Sequence, residues 1–436
     1  MLQVGSRALQ WRPHAVSKAS HKARQCLAQC VAARWATGAT SPNGIGKSTA
    51  GGIYVNSNYD SGNIEIEDMS DAGNIKLRIH PDPFCETDNV SHAMWFNFRM
   101  TNVAGKALTL HINNAGQCSF PVAWQGYQAC ASYDLEHWFR VPTQYDTDSG
   151  VLTIQHTPEC DAVQYAYFAP YTYNRHRQLI ARTQAKPGVK LLMIGETCDG
   201  HDLNLLQLGT PGPGKPNVWI IARQHPGESM AEWFADGLLE RLTDSHDAVA
   251  RHLLRDACVF VMPNVNPDGT WRGHLRTNAA GINLNRAWAK PCEEDSPEVF
   301  QLLRVMDEKG VDMLVDVHGD EELPYCFIAG SEGIPGWTDR LKGQQDGFCA
   351  AYKRASPDFQ TKFGYGVDAP GEANMTICSN QVAQRFDCLA VTLEMPFKDT
   401  ADHPEPVQGW SPERAKRFGA ALLPAIYEVL PTLRAQ

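Results

Sequence analysis

The hydrophobic pattern of this chain changes its period once, near residue 170, and that change limits the folds open to it. Between residues 62 and 170 the apolar runs are short and alternating. GNIEIEDM, NIKLRI, MWFNFRM, ALTLHI, DLEHWFRV, GVLTIQH and AVQYAYFA are separated by Gly, Asn, Asp and Pro. Side chains on a strand alternate between faces, so such runs predict half-buried strands, and their even spacing predicts an antiparallel β-sandwich. After Tyr173 the runs become continuous: VKLLMIGE, VWIIAR, ACVFVMP, VDMLVDVH and LAVTLEM. Helical patterns separate them, as in Ser229–Leu242, where Ala231, Phe234, Leu238 and Leu242 share a face. Strands apolar on both sides and alternating with helices predict a mixed, mostly parallel sheet flanked by helices. The loop GTPGPGKPN separates the first two runs. A final helix is predicted from Ser411 as N-cap, with Pro412 in its first turn, to Pro431.

The division expected is therefore a basic extension over 1–59, a β-sandwich domain over 60–170 and an α/β domain over 171–436. The extension carries seven Lys or Arg and no acidic residue. It reads as a disordered segment or, alternatively, as a transit peptide to mitochondria or another organelle. Gly46-Lys47-Ser48 suggests a phosphate loop, but Ser41 stands where the first glycine belongs and no apolar strand precedes it. The remainder is strongly acidic within a chain of formal charge −10, which argues against nucleic acid and anionic membranes as partners. No run of eighteen apolar residues occurs, so no membrane span is expected. The thirteen cysteines are odd in number and contain no CxxC, the closest pair being Cys26 and Cys30. Such usage fits reduced thiols in the cytoplasm rather than a disulfide framework.

In sheets of this type ligands bind beyond the C-terminal ends of the strands, and the polar residues there carry the chemistry. His225-Pro-Gly-Glu228 follows VWIIAR. Imidazole and carboxylate three residues apart can converge on one zinc ion. His318 ends VDMLVDVH and completes a three-ligand set, leaving a fourth position open, as catalytic zinc requires. Asp316 is a weaker candidate for the far ring nitrogen of His318, since strand alternation could turn it elsewhere. Glu394 ends LAVTLE, where a carboxylate is costly to bury without a partner; beside a metal-bound water it suits a general base. Arg276 could stabilise an oxyanion, and Asn285 with Arg286 could grip a terminal carboxylate. Asn266-Pro-Asp-Gly269 reads as a turn. Taken singly, each has an ordinary explanation: a surface ion pair, a hydrogen-bonded core histidine, a salt bridge. Their joint order along the chain argues otherwise.

HPGES (225–229), NPDG (266–269), NLNR (283–286), DVHGD (316–320) and TLEMPF (392–397) together resemble the zinc metallocarboxypeptidases, specifically the cytosolic carboxypeptidase subfamily in its bacterial form. YFAPYTYNRHRQL and IGETCDGHDLNLLQLG add to the likeness, which spans roughly residues 60 to 430. The resemblance implies a β-sandwich packed on a carboxypeptidase domain. It also implies one zinc ion on His225, Glu228 and His318, with Glu394 as base. Arg276, Asn285 and Arg286 fall at the positions that bind the carbonyl and the C-terminal carboxylate. Tyr365 is the candidate for the family's substrate-capping tyrosine. The implied reaction is hydrolysis of the last peptide bond of a peptide or protein tail, with removal of glutamate as an analogy to animal relatives. The rivals are a zinc-dependent N-acyl amino acid deacylase and a binding module with a vestigial site.

Overall fold

The computed structural model describes residues 52–85 and 91–433. Most of the basic extension, with its Gly-Lys-Ser and with Cys26 and Cys30, lies outside the described residues.

The first part is a two-sheet sandwich. Its strands are β1 (Tyr54–Asn56), β2 (Glu65–Asp68), β3 (Ile75–Arg78), β4 (Asn97–Thr101), β5 (Leu108–Ile112), β6 (Ala129–Ser132), β7 (Phe139–Val141), β8 (Thr143–Asp146), β9 (Val151–His156) and β10 (Ala162–Ala166). One sheet has the order β1-β4-β10-β6-β7 and the other β2-β3-β5-β9-β8. β5 alternates as its sequence demands, with Leu108, Leu110 and Ile112 buried. Two details depart from the sequence reading. β3 and β5 pair in parallel, the one exception in an otherwise antiparallel sandwich. β1, which falls inside the supposed extension, pairs with β4 and buries Val55. Folded structure thus begins ahead of residue 60, because a single inward valine between exposed neighbours suffices for a three-residue edge strand.

The second part is a seven-stranded mixed sheet built from β11 (Val189–Glu196), β12 (Asp202–Leu208), β13 (Asn217–Ala222), β14 (Cys258–Met262), β15 (Met313–Val317), β16 (Phe327–Ala329) and β17 (Leu389–Glu394), in the order β11-β12-β14-β13-β15-β17-β16. The central pairings β14-β13-β15-β17 are parallel. The flanking pairings are antiparallel, so parallel character is confined to the centre. The central strands are buried throughout because both faces are covered. Val218, Ile220, Val315 and Val391 join the core on one face; Trp219, Ile221, Leu314 and Ala390 join the core on the other.

Helices follow the strands: α1 (Tyr173–Gln184), α2 (Met230–Leu242), α3 (Ala248–Asp256), α4 (Pro267–Arg272), α5 (Pro297–Lys309), α6 (Asp339–Ala355), α7 (Cys378–Phe386), α8 (Pro412–Ala420) and α9 (Leu422–Val429). Asn266-Pro-Asp-Gly is the start of α4 rather than a free turn. Asn266 Oδ1 accepts from the Gly269 N–H at 3.0 Å, and Pro267 occupies the first turn, where its missing N–H costs nothing. The single C-terminal helix is two helices, since Pro424 cannot continue a hydrogen-bonded ladder but fits the opening turn of α9. Among the described residues no helix is long and apolar enough to cross a membrane.

Candidate metal centre

β13 and β15 are parallel neighbours, so their C-terminal ends open on the same side of the sheet. Beyond β13 the chain turns through Arg223, which adopts a left-handed conformation (φ 62°). Its buried guanidinium compensates that strain by donating to Pro226 O at 2.9 Å, to Glu232 Oε2 at 2.8 Å and to Tyr171 O. Glu232 also lies 2.6 Å from His176 Nδ1. This network beneath the turn was not assigned from sequence, because its members are scattered between Tyr171 and Glu232 over several elements. Gly227 is required for another reason. Its N–H donates to Leu275 O at 2.8 Å, and a Cβ there would lie 2.9 Å from that oxygen.

His225, Glu228 and His318 converge, each at most 3% exposed. Among the described residues they are the one set of three His, Cys, Asp or Glu whose ligand atoms all lie within 4.8 Å of one another. His225 Nδ1 is 2.7 Å from Glu228 Oε1, His318 Nδ1 is 2.8 Å from Glu228 Oε2, and the two Nδ1 atoms are 3.2 Å apart. Ligands about 2.05 Å from one tetrahedral zinc ion lie roughly 3.3 Å from each other. The outer nitrogens are tied back. His225 Nε2 meets Asn283 Oδ1 at 3.0 Å, and His318 Nε2 meets Asp316 Oδ2 at 2.9 Å. Both partners present acceptor oxygens, so with a metal bound each ring's proton would sit on Nε2 and leave Nδ1 as the ligand atom. The donor set fits zinc. Residues two apart on a strand share a face, so Asp316 belongs beside His318 and alternation favours the pairing.

The electrostatics are those of a site built around a cation. Burial, helped by Arg276, pushes the His225 pKa down to about 4. Burial also works against charge on His318, yet Asp316 and Glu228 on its two sides hold it well above the usual imidazole range. Burial opposes the Glu228 carboxylate too, but His225 and His318 outweigh it and hold its pKa low. Glu394 is 6% exposed, and its Oε2 has no hydrogen-bond partner among the described residues. Burial and the nearby carboxylates Glu228, Asp320 and Glu321 drive its pKa well up, with His318 opposing. Glu321 is likewise pushed up to about 8, first by burial.

Tyr365 joins the centre despite its distance in sequence. Its hydroxyl donates to Asp320 Oδ2 at 2.5 Å and lies 3.2 Å from Glu394 Oε1, with its ring edge-on to Phe327. Arg276 Nη1 stands 4.0 Å from Glu228 Oε1. Asn285 is buried, and its Oδ1 accepts from the Cys378 N–H at 2.8 Å, which fixes the amide and directs its nitrogen elsewhere. Arg286 is exposed and bonds its guanidinium only to the adjacent Asn285 carbonyl, at 2.7 Å. No ion pair is seen for it among the described residues, so the ordinary structural explanation fails. Burial, helped by Arg276, lowers its pKa.

Residues 55–168 match the family model for the cytosolic carboxypeptidase N-terminal domain, and residues 176–400 match that for zinc carboxypeptidase. The chain is similar to the crystal structure of a metallo-carboxypeptidase from Burkholderia cenocepacia, with TM-score 0.83 and 43% identity over 87% of this chain and 100% of that one. It is equally similar to a Pseudomonas aeruginosa metallo-carboxypeptidase solved with (2-guanidinoethylmercapto)succinic acid, with TM-score 0.83 and 44% identity over the same shares. Cytosolic carboxypeptidase 6 of Caenorhabditis elegans is 25% identical over 80% of this chain and 79% of its own length.

Proposed function

Since the chain belongs to the zinc carboxypeptidase family and is a hydrolytic exopeptidase, we propose that His225, Glu228 and His318 hold one zinc ion per chain and that Glu394 is the general base of the reaction. The observation that carries this reading is the pair of inward Nδ1 atoms, 3.2 Å apart and each fixed from behind by an acceptor oxygen. When bound, zinc lowers the pKa of water to about 7 and polarises a carbonyl. The chain's own residues do the rest. Glu394 takes a proton from the attacking water and returns it to the departing amine; the partnerless Oε2 is the atom free to do so. Arg276 stabilises the oxygen of the scissile carbonyl as charge develops. Arg286 and the amide nitrogen of Asn285 bind the free C-terminal carboxylate, which restricts cleavage to chain ends. Tyr365 closes over the bound residue. On this reading the sandwich ends, and the catalytic part begins, near residue 170.

Glutamate removal is the narrower reading and rests on the resemblance in sequence alone, while the name of the cytosolic carboxypeptidase relatives suggests a cytoplasmic setting. Asp320, beside Tyr365 in the cleft, weighs against glutamate removal, because an incoming side-chain carboxylate would meet another carboxylate. Zinc-loaded protein should therefore be given peptides ending in Glu, Asp, Lys, Leu and Phe, with free and amidated ends, and the products read by mass spectrometry. Single residues should leave free ends only, and the preferred end identifies the side chain removed. Glu394→Gln should retain stoichiometric zinc while losing about 10²–10⁴-fold in rate. An unchanged rate in that variant would refute the base assignment, and stoichiometric zinc with no peptide cut would refute the peptidase reading in favour of N-acyl amino acids.

A further inference from the structure

The loop that carries Arg276 is held from outside the carboxypeptidase part. Asp82, in the sandwich, is 5% exposed. Its carboxylate accepts from three consecutive backbone N–H groups, those of Leu275 at 2.7 Å, Arg276 at 2.8 Å and Thr277 at 2.9 Å, and from the Thr277 hydroxyl at 3.1 Å. These four donors all come from the one loop that carries Arg276. Hydrogen bonds to an ionised acceptor are about twice as strong as neutral ones, and leaving such donors unmet in a buried site is costly. A buried carboxylate used this way fixes the φ and ψ angles of the residues whose N–H groups it gathers.

The middle donor is the amide of Arg276 itself. Its side chain then runs between two fixed points: the Phe120 ring of the sandwich, whose centroid is 5.8 Å from the guanidinium carbon, and Glu228 Oε1, 4.0 Å from Nη1. On its other side the loop is pinned by the Gly227 N–H bond to Leu275 O, inside the His-Pro-Gly-Glu turn. One carboxylate thus sets the distance between the arginine and the metal-ligand turn.

We infer that Asp82 is a positioning residue for the reaction, aiming Arg276 at the substrate carbonyl from the sandwich. The inference rests on the role proposed above for Arg276. The alternative is that Asp82 only fastens the two parts together. The two differ in coupling: a positioning residue acts through Arg276 and has nothing to do once Arg276 is gone.

The test is a double-mutant cycle on a good peptide substrate, with rates expressed per zinc-loaded, folded enzyme. Asp82→Asn should keep zinc and lower kcat by about ten- to a hundredfold, the scale on which small misplacements act, with KM within about twofold. Arg276→Ala should lower kcat further, and the double variant should be no slower than Arg276→Ala. If Asp82→Asn does not fold, Asp82→Glu keeps the charge, displaces it by one methylene and should show the same kcat loss. An unchanged kcat in a folded Asp82 variant, or a loss that multiplies with that of Arg276→Ala, overturns the positioning role alone. An Arg276→Ala variant with normal kcat overturns the role of Arg276 and this inference with it.

Discussion

His225 and His318 present the same nitrogen to the same carboxylate, yet their outer partners differ in charge. His225 is backed by a neutral amide, His318 by Asp316. A carboxylate behind an imidazole raises its basicity and fixes its orientation, and its loss typically lowers metal affinity about 10–100-fold. Asp316→Ala should weaken zinc binding by that factor in competition with a chromophoric chelator, while circular dichroism stays unchanged; native affinity would mean the ring is held by packing alone. The four polar residues that end or follow apolar runs were conspicuous in sequence because a charged or polar group there is expensive without a purpose. Asn283 and Asp82 gave no such signal. They act on residues 58 and 194 positions away, and a buried Asp in a loop looks like any turn residue. Arg286 showed the reverse: its lack of an acidic partner becomes informative only once its surroundings are known.

At the scale of elements, runs with strong periodicity were legible and short or small-residue strands were not. β6 is Ala-Cys-Ala-Ser, buried at every position and lacking alternation or bulk. β16 is a three-residue strand at the sheet edge, where neighbouring loops hide its limits. Helix contacts were equally hidden. α2 begins two residues past Glu228 and crosses α8 so closely that a Cβ on Gly237 would lie 2.1 Å from Lys416 O, and one on Gly419 2.0 Å from Phe234 O. Gly→Ala inside a helix ordinarily stabilises by about 0.5–1 kcal/mol. Here the obstacle is backbone, which cannot rotate away, and overpacking of this kind costs about 1–3 kcal/mol. The clash should win, so Gly237→Ala should be destabilising in urea denaturation. A stabilised variant would show that the two helices separate freely. Because α2 carries the ligand turn at its N-terminus, the same change should also weaken zinc binding.

For the molecule as a whole, the sandwich and the mixed sheet are joined by more than a linker. Tyr167, just past β10, stacks on Phe397, just past β17, at 4.6 Å. Arg140 of β7 donates to Phe397 O at 2.8 Å, Trp410 O at 3.1 Å and Gln408 O at 3.1 Å, and its own N–H bonds Val407 O at 2.9 Å. Lys398 returns the contact by donating to Gln125 O at 3.0 Å and Ala123 O at 3.2 Å. One continuous apolar core includes residues of both sheets of the sandwich and of the mixed sheet. Parts joined by a polar, loosely packed interface unfold separately; parts that share a core do not. Calorimetry should therefore give a single transition for the sandwich and the mixed sheet together, with equal calorimetric and van't Hoff enthalpies. Arg140→Ala leaves carbonyls on the carboxypeptidase side without their donor, at a cost of about 1–3 kcal/mol, and should lower the midpoint by a few degrees without splitting the transition. Two resolved transitions in the unaltered chain would mean that the sandwich folds on its own and that Asp82 holds the Arg276 loop only as long as the interface is closed. A single one means that the strand end bearing Glu394, the loop bearing Arg276 and the sandwich that grips both are lost together.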